Sequence, residues 1–117
     1  AIEAVRRHID ANLGEELDLA TLAALGHTSP FHFSRLFRAV TGLPPHTYLR
    51  RARLERAERL LAGGDATVTQ VAHQVGFSSV SHFVATFRRH TGTTPGRYRA
   101  TYRTGGTQRG ERAADWT

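Results

Sequence analysis

The stretch LAALGHTSPFHFSRLFRAVTGLPPHTY (residues 22–48) recurs in altered form as VAHQVGFSSVSHFVATFRRHTGTTPGRY (residues 71–98). From Ser29 onward, each residue of the first copy matches the residue 50 positions later. Before the turn, Leu22-Ala23 matches Val71-Ala72 with an offset of 49. The matches are Ser29, Phe33, Phe37, Arg38, Gly42, Pro45 and Tyr48 in the first copy, and Ser79, Phe83, Phe87, Arg88, Gly92, Pro95 and Tyr98 in the second. The chain therefore contains an internal repeat, with one extra turn residue in the second copy.

Each copy of the repeat predicts a short helix, a tight turn and a longer helix. The small residues Ala23 and Ala72 allow the two helices of a copy to approach closely. This is the plan of the helix-turn-helix motif, in which the second helix enters the major groove of DNA. A single helical hairpin is weak evidence for that motif, but two copies in fixed register, joined by a helix, are much stronger evidence.

The whole chain favours an all-α fold. Alternating apolar patterns are absent, while apolar residues recur with the 3.6-residue period of helices. We predict seven helices that form two helix-turn-helix subdomains joined by a long linker helix. The predicted ranges are about 1–12, 19–25, 30–41, 45–62, 68–75, 80–91 and 95–102. The predicted N-caps are Asp18, Ser29 and either Ser78 or Ser79, while Thr67 opens the fifth helix and Thr94-Pro95 begins the seventh.

Domain boundaries follow from these helices. We expect one domain over residues 1–103, with a first subdomain at about 1–43, the linker helix at about 45–62 and a second subdomain at about 66–102. Residues 104–117 are rich in Gly, Arg and polar residues, and we expect them to form a mobile tail.

The composition is that of a basic chain without cysteine. All 16 basic side chains are Arg, the net charge is +6 and the pI is about 11.2. Arg makes bidentate contacts with phosphate and guanine, although a GC-rich genome explains the bias equally well. No apolar run is long enough to span a membrane, and we expect a cytoplasmic protein. The absence of methionine, even at residue 1, predicts a piece of a longer protein whose partner domain lies before Ala1.

The third helix has one apolar face and one polar, basic face. The predicted core face consists of Phe33, Leu36, Phe37 and Val40, and the opposite face of Phe31, Ser34, Arg35 and Arg38. Packing in the core does not explain a Phe31 on the polar face. In contact with DNA, Phe31 could meet a thymine methyl group while Arg35 reaches a guanine edge. The alternative is that Phe31 packs on the first helix and Arg35 is only solvated.

The sixth helix has the same pattern with fewer hydrogen-bond donors. Its predicted core face is Phe83, Thr86, Phe87 and His90, and its opposite face is Ser81, Val84, Ala85 and Arg88. Val84 and Ala85 can touch methyl groups but cannot hydrogen-bond a base. We therefore expect the first unit to read bases, while the second contributes phosphate contacts from Ser81, Arg88 and Arg89 and recognises shape.

The long fourth helix has two apolar sides, which suits a helix held by both repeats. Leu54, Ala57 and Leu61 form one side, and Leu49, Ala52 and Leu60 form the other. Its arginines alternate with Glu55 and Glu58, and most of them are best interpreted as a solvated, charged surface. Arg50 and Arg51, near the start of the helix, are the better candidates for phosphate contacts.

The segments SPFHFSRLFR and GFSSVSHF, with the paired G-x-x-P-x-x-Y endings, resemble the AraC/XylS family of bacterial transcription regulators over residues 1–102. The resemblance implies that residues 1–103 are an AraC-type DNA-binding domain, with its third and sixth helices in successive major grooves of double-stranded DNA. It also implies a preceding sensor or dimerisation domain and, as in many members that activate transcription, contact with RNA polymerase. Val84 and Ala85 depart from the family, whose sixth helix often has a polar residue and an Arg there.

The resemblance and the helix faces together predict the binding residues. Base contacts are expected from Phe31, Ser34, Arg35, Val80, Ser81, Val84 and Ala85. Phosphate contacts are expected from Ser29, His32, Arg38, Arg50, Arg51, Ser79, His82, Arg88 and Arg89. For the equivalent His32 and His82, either phosphate contact or packing fits the pattern.

Two other classes of function compete with DNA binding. The seven His residues suggest an enzyme, but no H-E-x-x-H motif, cysteine or glycine-rich phosphate loop accompanies them. We therefore expect no catalytic residues, no metal and no cofactor. The remaining alternative is a basic helical module that binds an acidic protein partner, which leaves the repeat and Phe31 unexplained.

Overall fold

A computed structural model of the chain describes residues 2–103, and over that range it contains seven helices and no strand. The helices are α1 (Ile2–Ala11), α2 (Leu19–Leu25), α3 (Pro30–Thr41), α4 (Pro45–Gly63), α5 (Val68–Gln74), α6 (Val80–Thr91) and α7 (Pro95–Tyr102). The all-α prediction is confirmed. None of the described helices is both long enough and apolar enough to cross a membrane. The tail predicted at 104–117 lies outside the described residues.

The predicted N-caps are the observed ones, because each places a side-chain oxygen against an unpaired N–H of the first helical turn. Ser79, and not Ser78, caps α6. Thr67 also forms a reciprocal capping box with Gln70. At Asp18 the hydrogen bond from the Thr21 N–H lowers the pKa of the carboxyl group. The capping residues are Asp18, Ser29, Thr67, Ser79 and Thr94.

The turns that follow α3 and α6 are built identically. Gly42 and Gly92 both have φ of +85°, a left-handed conformation that favours glycine. The Thr41 hydroxyl lies 2.8 Å from the Phe37 carbonyl oxygen and accepts from the Leu43 N–H at 3.2 Å. Thr91 makes the equivalent contacts at 2.9 and 3.3 Å. The repeat therefore extends to the hydrogen bonds that direct the chain into the next helix.

The helices divide into two compact units, and the boundary falls inside α4, between Arg53 and Leu54. Each unit has its own apolar core. The first core consists of Ile2, Val5, Ile9, Leu13, Leu22, Ala23, Phe33, Phe37 and Leu49. The second consists of Leu54, Ala57, Leu61, Val71, Ala72, Val75, Phe77, Phe83 and Phe87.

The same aromatic cluster lies at the centre of each core. In the first unit the ring centroids of Phe33 and Phe37 are 5.5 Å apart, and Phe37 meets Tyr48 edge-on at 5.3 Å and 84°. In the second unit Phe83 and Phe87 are 5.6 Å apart, and the latter meets Tyr98 at 5.4 Å and 86°. All four phenylalanines are fully buried. Edge-on contacts of this kind add to the gain from burying the rings.

The buried stripes of α3 and α6 are narrower than the sequence predicts. Leu36 and Val40 are 40% and 52% exposed, so their assignment to the core face is wrong. Phe33 and Phe37, one turn apart, are the residues of α3 that the first core buries. His90 was also expected in the core, but its ring nitrogen lies 3.3 Å from the Glu58 carboxylate at the edge of the second unit. Thr86 is buried, as predicted.

The two apolar sides of α4 serve different units, with one reassignment. Leu49 and the partly buried Ala52 pack in the first core, while Leu54, Ala57 and Leu61 pack in the second. The sequence pattern groups Leu60 with Leu49 and Ala52, but Leu60 packs against the second core. The reason is its position, since it lies beyond the point where α4 passes from one unit to the other.

Two arginines bind backbone carbonyl groups, one in the loop after α1 and the other at the end of α4. Arg53 donates to the carbonyl oxygens of Leu13 and Glu15 at 2.9 and 2.8 Å. In the second unit Arg99 donates to the carbonyl oxygens of Leu61 and Gly64 at 3.0 and 3.4 Å. Carbonyls in a loop or at a helix C-terminus lack a partner within the helix, and a planar guanidinium can bind two of them at once. Arg53 is therefore a structural residue, not part of a solvated surface, and burial lowers its pKa.

The helix-turn-helix turn itself differs between the two copies. The residue with left-handed backbone is His27 in the first copy, with φ of +59°, and Gly76 in the second, with φ of +96°. The next backbone N–H bonds equivalently in both copies, from Thr28 to Ala23 and from Phe77 to Ala72. The extra residue of the second copy is therefore Ser78, which follows these bonds.

We predict opposite effects of substitution at this position in the two copies. Gly76→Ala should lower the free energy of unfolding by about 1–2 kcal/mol, because a Cβ is strained in the left-handed region. His27→Gly removes the same strain but loosens the unfolded chain, so it should leave stability unchanged or raise it by up to about 1 kcal/mol. Urea unfolding followed by circular dichroism measures both. An unchanged midpoint for Gly76→Ala would contradict the assignment.

We further predict that Arg53→Lys destabilises the chain by about 1 kcal/mol, since the charge stays but the two-pronged contact with carbonyls is lost and the site is partly exposed. The matched control is Arg56→Lys on the exposed surface of the same helix, which should change stability little. Equal effects of the two substitutions in urea unfolding would show that Arg53 has no special structural role.

Candidate nucleic-acid interface

The surfaces of α3 and α6 that face away from the cores carry matching stripes of exposed side chains. On α3 the stripe is Phe31, Arg35 and Arg38, and on α6 it is Ser81, Ala85 and Arg88. Members of a stripe lie three or four residues apart and so share one helix face. We call each set the outer stripe of its helix. The burial of Phe33 and Phe37 on one helix, and of Phe83 and Phe87 on the other, orients these stripes outward.

Phe31 is the most prominent residue of the α3 outer stripe. Its side chain is 73% exposed, so the alternative in which it packs on the first helix is wrong. The guanidinium carbon of Arg35 lies 5.7 Å from the centroid of the Phe31 ring, within the range of a cation–π contact. The two side chains therefore form a pair on the protein surface, and Arg35 is not simply solvated.

Three predicted base-contact residues lie on the flanks of the outer stripes and are partly buried. Ser34 lines an apolar pocket of about 250 Å³ in the first unit, formed with residues of α2 and the start of α4. Its equivalent Val84 packs partly against the second core, as does Val80. These side chains therefore present only part of their surface to a ligand.

The outer face of α6 forms an open depression with apolar and basic sides. Arg89 donates to the Thr86 hydroxyl at 3.4 Å, so its guanidinium bends back towards its own helix. Arg88 and Ala85 are exposed, and Ser81 supplies a hydroxyl group. The depression is lined by Val80, Ser81, Val84, Ala85, Arg88 and Arg89, which include all four base contacts predicted for this helix.

Four of the predicted phosphate ligands lie at the starts of α3 and α6, while Arg38, Arg88 and Arg89 lie in the last turns of these helices. The hydroxyl oxygens of Ser29 and Ser79 accept from the N–H groups of His32 and His82 at 3.3 and 3.2 Å, which leaves each hydroxyl hydrogen free to donate. Both histidines are exposed, and His82 also packs its ring against Phe77 at 5.5 Å. Arg38, Arg50, Arg51 and Arg88 are exposed as well.

The sequence around α3 and α6 lacks acidic residues, a feature that does not belong to any motif described above. No Asp or Glu occurs between Asp18 and Glu55, or between Asp65 and Glu111, and these two segments contain α2, α3, α5 and α6. The first turns of α3 and α6 have no acidic side chain. Helix N-termini without a carboxylate, and cations without an ion-pair partner, both attract phosphate. This charge pattern fits a polyanion and not a neutral partner.

Within residues 2–103 no three His, Asp or Glu side chains converge in an arrangement that could hold a metal ion. The ion pairs that the structure describes involve Arg6, His90 and Arg103, and none of them lies on an outer stripe. The basic residues of the outer stripes therefore remain available for an external ligand.

Comparison with known proteins identifies the fold. A family model described as a helix-turn-helix domain matches residues 22–101. The crystal structure of the DNA-binding domain of AdpA, a global transcriptional factor in complex with a target DNA, superimposes with a TM-score of 0.86. The two chains are 37% identical, and the match covers 92% of this chain and 97% of that one.

A second solved structure supports the same assignment. It is a transcriptional regulator from Chromobacterium violaceum, described as AraC-type, with 31% identity, a TM-score of 0.81 and coverage of 90% of this chain and 94% of that one. Among curated relatives, the transcriptional activator and DNA repair enzyme AdaA of Bacillus subtilis is 31% identical over 98 residues. That match covers 84% of this chain and 46% of AdaA, while further relatives are transcription regulators without a named enzymatic activity.

The chain spans less than half the length of the curated relatives it matches. The match to the family model covers both copies of the repeat, and the solved structures match nearly the whole described fold. The chain belongs to the AraC-type helix-turn-helix family, the DNA-binding domains of bacterial transcription regulators.

Proposed function

We propose that this chain binds double-stranded DNA sequence-specifically by placing α3 and α6 in successive major grooves, and that it regulates bacterial transcription in this way. The observation that carries the proposal is the exposed pair of Phe31 and Arg35 on a helix surrounded by cations and free of carboxylates. An α-helix fits the major groove, where side chains reach base edges. The likeness to the AdpA domain, which was solved with a target DNA, supports the same function.

The two units have different roles in this proposal. The first reads bases with Phe31, Ser34 and Arg35, because its outer stripe contains both an apolar ring and a multiple donor. The second unit positions the duplex, because Ser81 is the one residue with a hydrogen-bonding side chain among its predicted base contacts. Phosphate contacts come from Ser29, His32, Arg38, Arg50, Arg51, Ser79, His82, Arg88 and Arg89, and the base-facing side chains of the second unit are Val80, Ser81, Val84 and Ala85.

The setting of the domain belongs to the proposal as well. The matches cover less than half of the curated relatives, and the family resemblance implies a preceding sensor or dimerisation domain, so we place this chain at the C-terminal end of a longer cytoplasmic regulator. Activation through contact with RNA polymerase and the absence of an enzymatic activity are part of the same proposal.

Selection from random duplexes followed by sequencing tests the function. We expect an enriched site with two half-sites about 10 bp apart, since insertion on one face of DNA requires a spacing of one helical turn. Fluorescence anisotropy at two salt concentrations then compares this site with a scrambled duplex. A dependence on salt without any preferred sequence would support a basic interaction module in place of a sequence-specific regulator.

We predict that Arg35→Ala weakens binding to the selected site by about 1–3 kcal/mol and relaxes the preference at one base pair. The matched control is Arg38→Ala on the same outer stripe, which should weaken binding to all sequences alike and reduce the dependence on salt by about one phosphate contact. Unchanged affinity and selectivity of Arg35→Ala would refute the role of Arg35 in reading bases.

We also predict that Val84→Ala changes affinity only modestly, because Val84 is partly buried and offers little surface to DNA. Its contact with the second core requires that the free energy of unfolding be measured in parallel. A large loss of affinity in a variant that is still fully folded would show that α6 reads a thymine methyl closely, contrary to the proposed division of roles.

A further inference from the structure

The pair of Phe31 and Arg35 is already assembled in the free chain. Phe31 is 73% exposed, whereas the other large apolar side chains on the described surface are at most 52% exposed. Its ring lies 5.7 Å from the guanidinium carbon of Arg35, one helical turn further along α3. The contact limits the orientations of a long and otherwise free side chain. Binding therefore costs less conformational entropy than it would for an isolated arginine.

The cation–π contact leaves the hydrogen-bond donors of Arg35 available. An aromatic face accepts no conventional hydrogen bond, so the N–H groups of the guanidinium stay free for other acceptors. Among the described residues no carboxylate lies within ion-pair distance of Arg35. Arg35 can therefore keep its contact with Phe31 while donating two hydrogen bonds to O6 and N7 of a guanine.

The size of the pair limits which bases it can touch together. Successive bases of one strand lie about 3.4 Å apart along the helix axis. A ring centroid and a guanidinium carbon that are 5.7 Å apart therefore span neighbouring base pairs and not distant ones. An apolar ring in the major groove has one apolar target, the methyl group on C5 of a pyrimidine, which thymine carries and cytosine lacks.

We propose that Phe31 and Arg35 act as one unit that reads a 5-methylpyrimidine next to a guanine, so that methylation of cytosine at C5 increases binding of this domain. The inference rests on the proposed function and adds to it the recognised dinucleotide and a sensitivity to DNA methylation. Phe31 has two roles, contact with the methyl group and positioning of Arg35. A cytosine at this place is read poorly, whereas 5-methylcytosine presents the same methyl group as thymine.

The test uses the selected duplex and changes one methyl group at a time. Each thymine beside a guanine is replaced by deoxyuridine, which removes the methyl and leaves base pairing intact. At one position this should weaken binding about fourfold, the value of one buried methyl-sized group. Cytosine is placed at the same position with guanine in the complementary strand, and 5-methylcytosine there should bind about fourfold more tightly than cytosine. Anisotropy titrations measure all four duplexes.

Variants of the two side chains separate methyl contact from positioning. Phe31→Ala should bind the thymine and deoxyuridine duplexes equally, because no ring remains to meet the methyl. Phe31→Leu keeps an apolar contact and thus some preference for thymine, but it loses the cation–π contact and binds about two- to fivefold more weakly. The double variant Phe31→Ala, Arg35→Ala should lose less than the product of the single losses, by a similar factor. Since both residues are exposed, thermal melting should show that all variants fold.

The outcomes distinguish this inference from the function on which it rests. If the chain prefers its selected site but binds thymine and deoxyuridine alike at every position, the dinucleotide reading is wrong while sequence-specific binding stands. An equal loss on deoxyuridine in the wild type and in Phe31→Ala overturns the role of Phe31. A chain that does not distinguish the selected site from a scrambled duplex overturns the proposed function itself.

Discussion

The burial of two phenylalanines on one side of α3, and of two on one side of α6, determines which residues each helix exposes. Phe33 and Phe37 are fully buried one turn apart, and Phe83 and Phe87 repeat the arrangement with nearly the same ring separation. Because a helix is rigid, anchoring one side fixes the opposite side. The outer stripes therefore face away from the cores whatever residues occupy them. The core supplies the orientation, and the surface is free to vary in chemistry.

That freedom explains how two equivalent units acquire different surfaces. At the position of Arg35 the second unit has Ala85, and at the position of Phe31 it has Ser81. The difference extends below the surface. In the first unit the Arg6 guanidinium lies 5.8 Å from the centroid of the Tyr48 ring, while in the second unit burial, and then the charges of Glu58 and Tyr102, raise the pKa of Tyr98 to about 12. The aromatic frame tolerates either sign of charge beside it.

Arginine has two separate roles in this chain, which depend on what lies nearby. Arg53 donates to backbone carbonyls of the loop after α1, and Arg99 donates to those at the end of α4, so both stabilise the fold. On the outer stripe of α3, Arg35 contacts only an aromatic face and keeps its donors. A positive net charge does not distinguish these cases. The distinction comes from the carbonyl groups that each fold unit leaves unpaired, and from the absence of carboxylates around α3 and α6.

Local features of the amino-acid sequence were sufficient to predict the helices, the caps and the repeated glycine turns, because Ser29, Ser79, Gly42 and Gly92 act through backbone within a few residues of themselves. The repeat was likewise sufficient for the helix-turn-helix architecture. Tertiary packing decided which of the apolar side chains are buried and which distant residues are in contact, and the periodicity of the sequence does not give either. Leu36 and Val40 have the right spacing for the core but remain exposed, while Phe33 and Phe37 on the same helix are buried. Arg53 finds its carbonyl partners 40 and 38 residues away, and the contact between Arg35 and Phe31 required a side-chain conformation as well as a spacing. Contacts distant in sequence, and the space left by neighbouring side chains, exist only once the chain is folded.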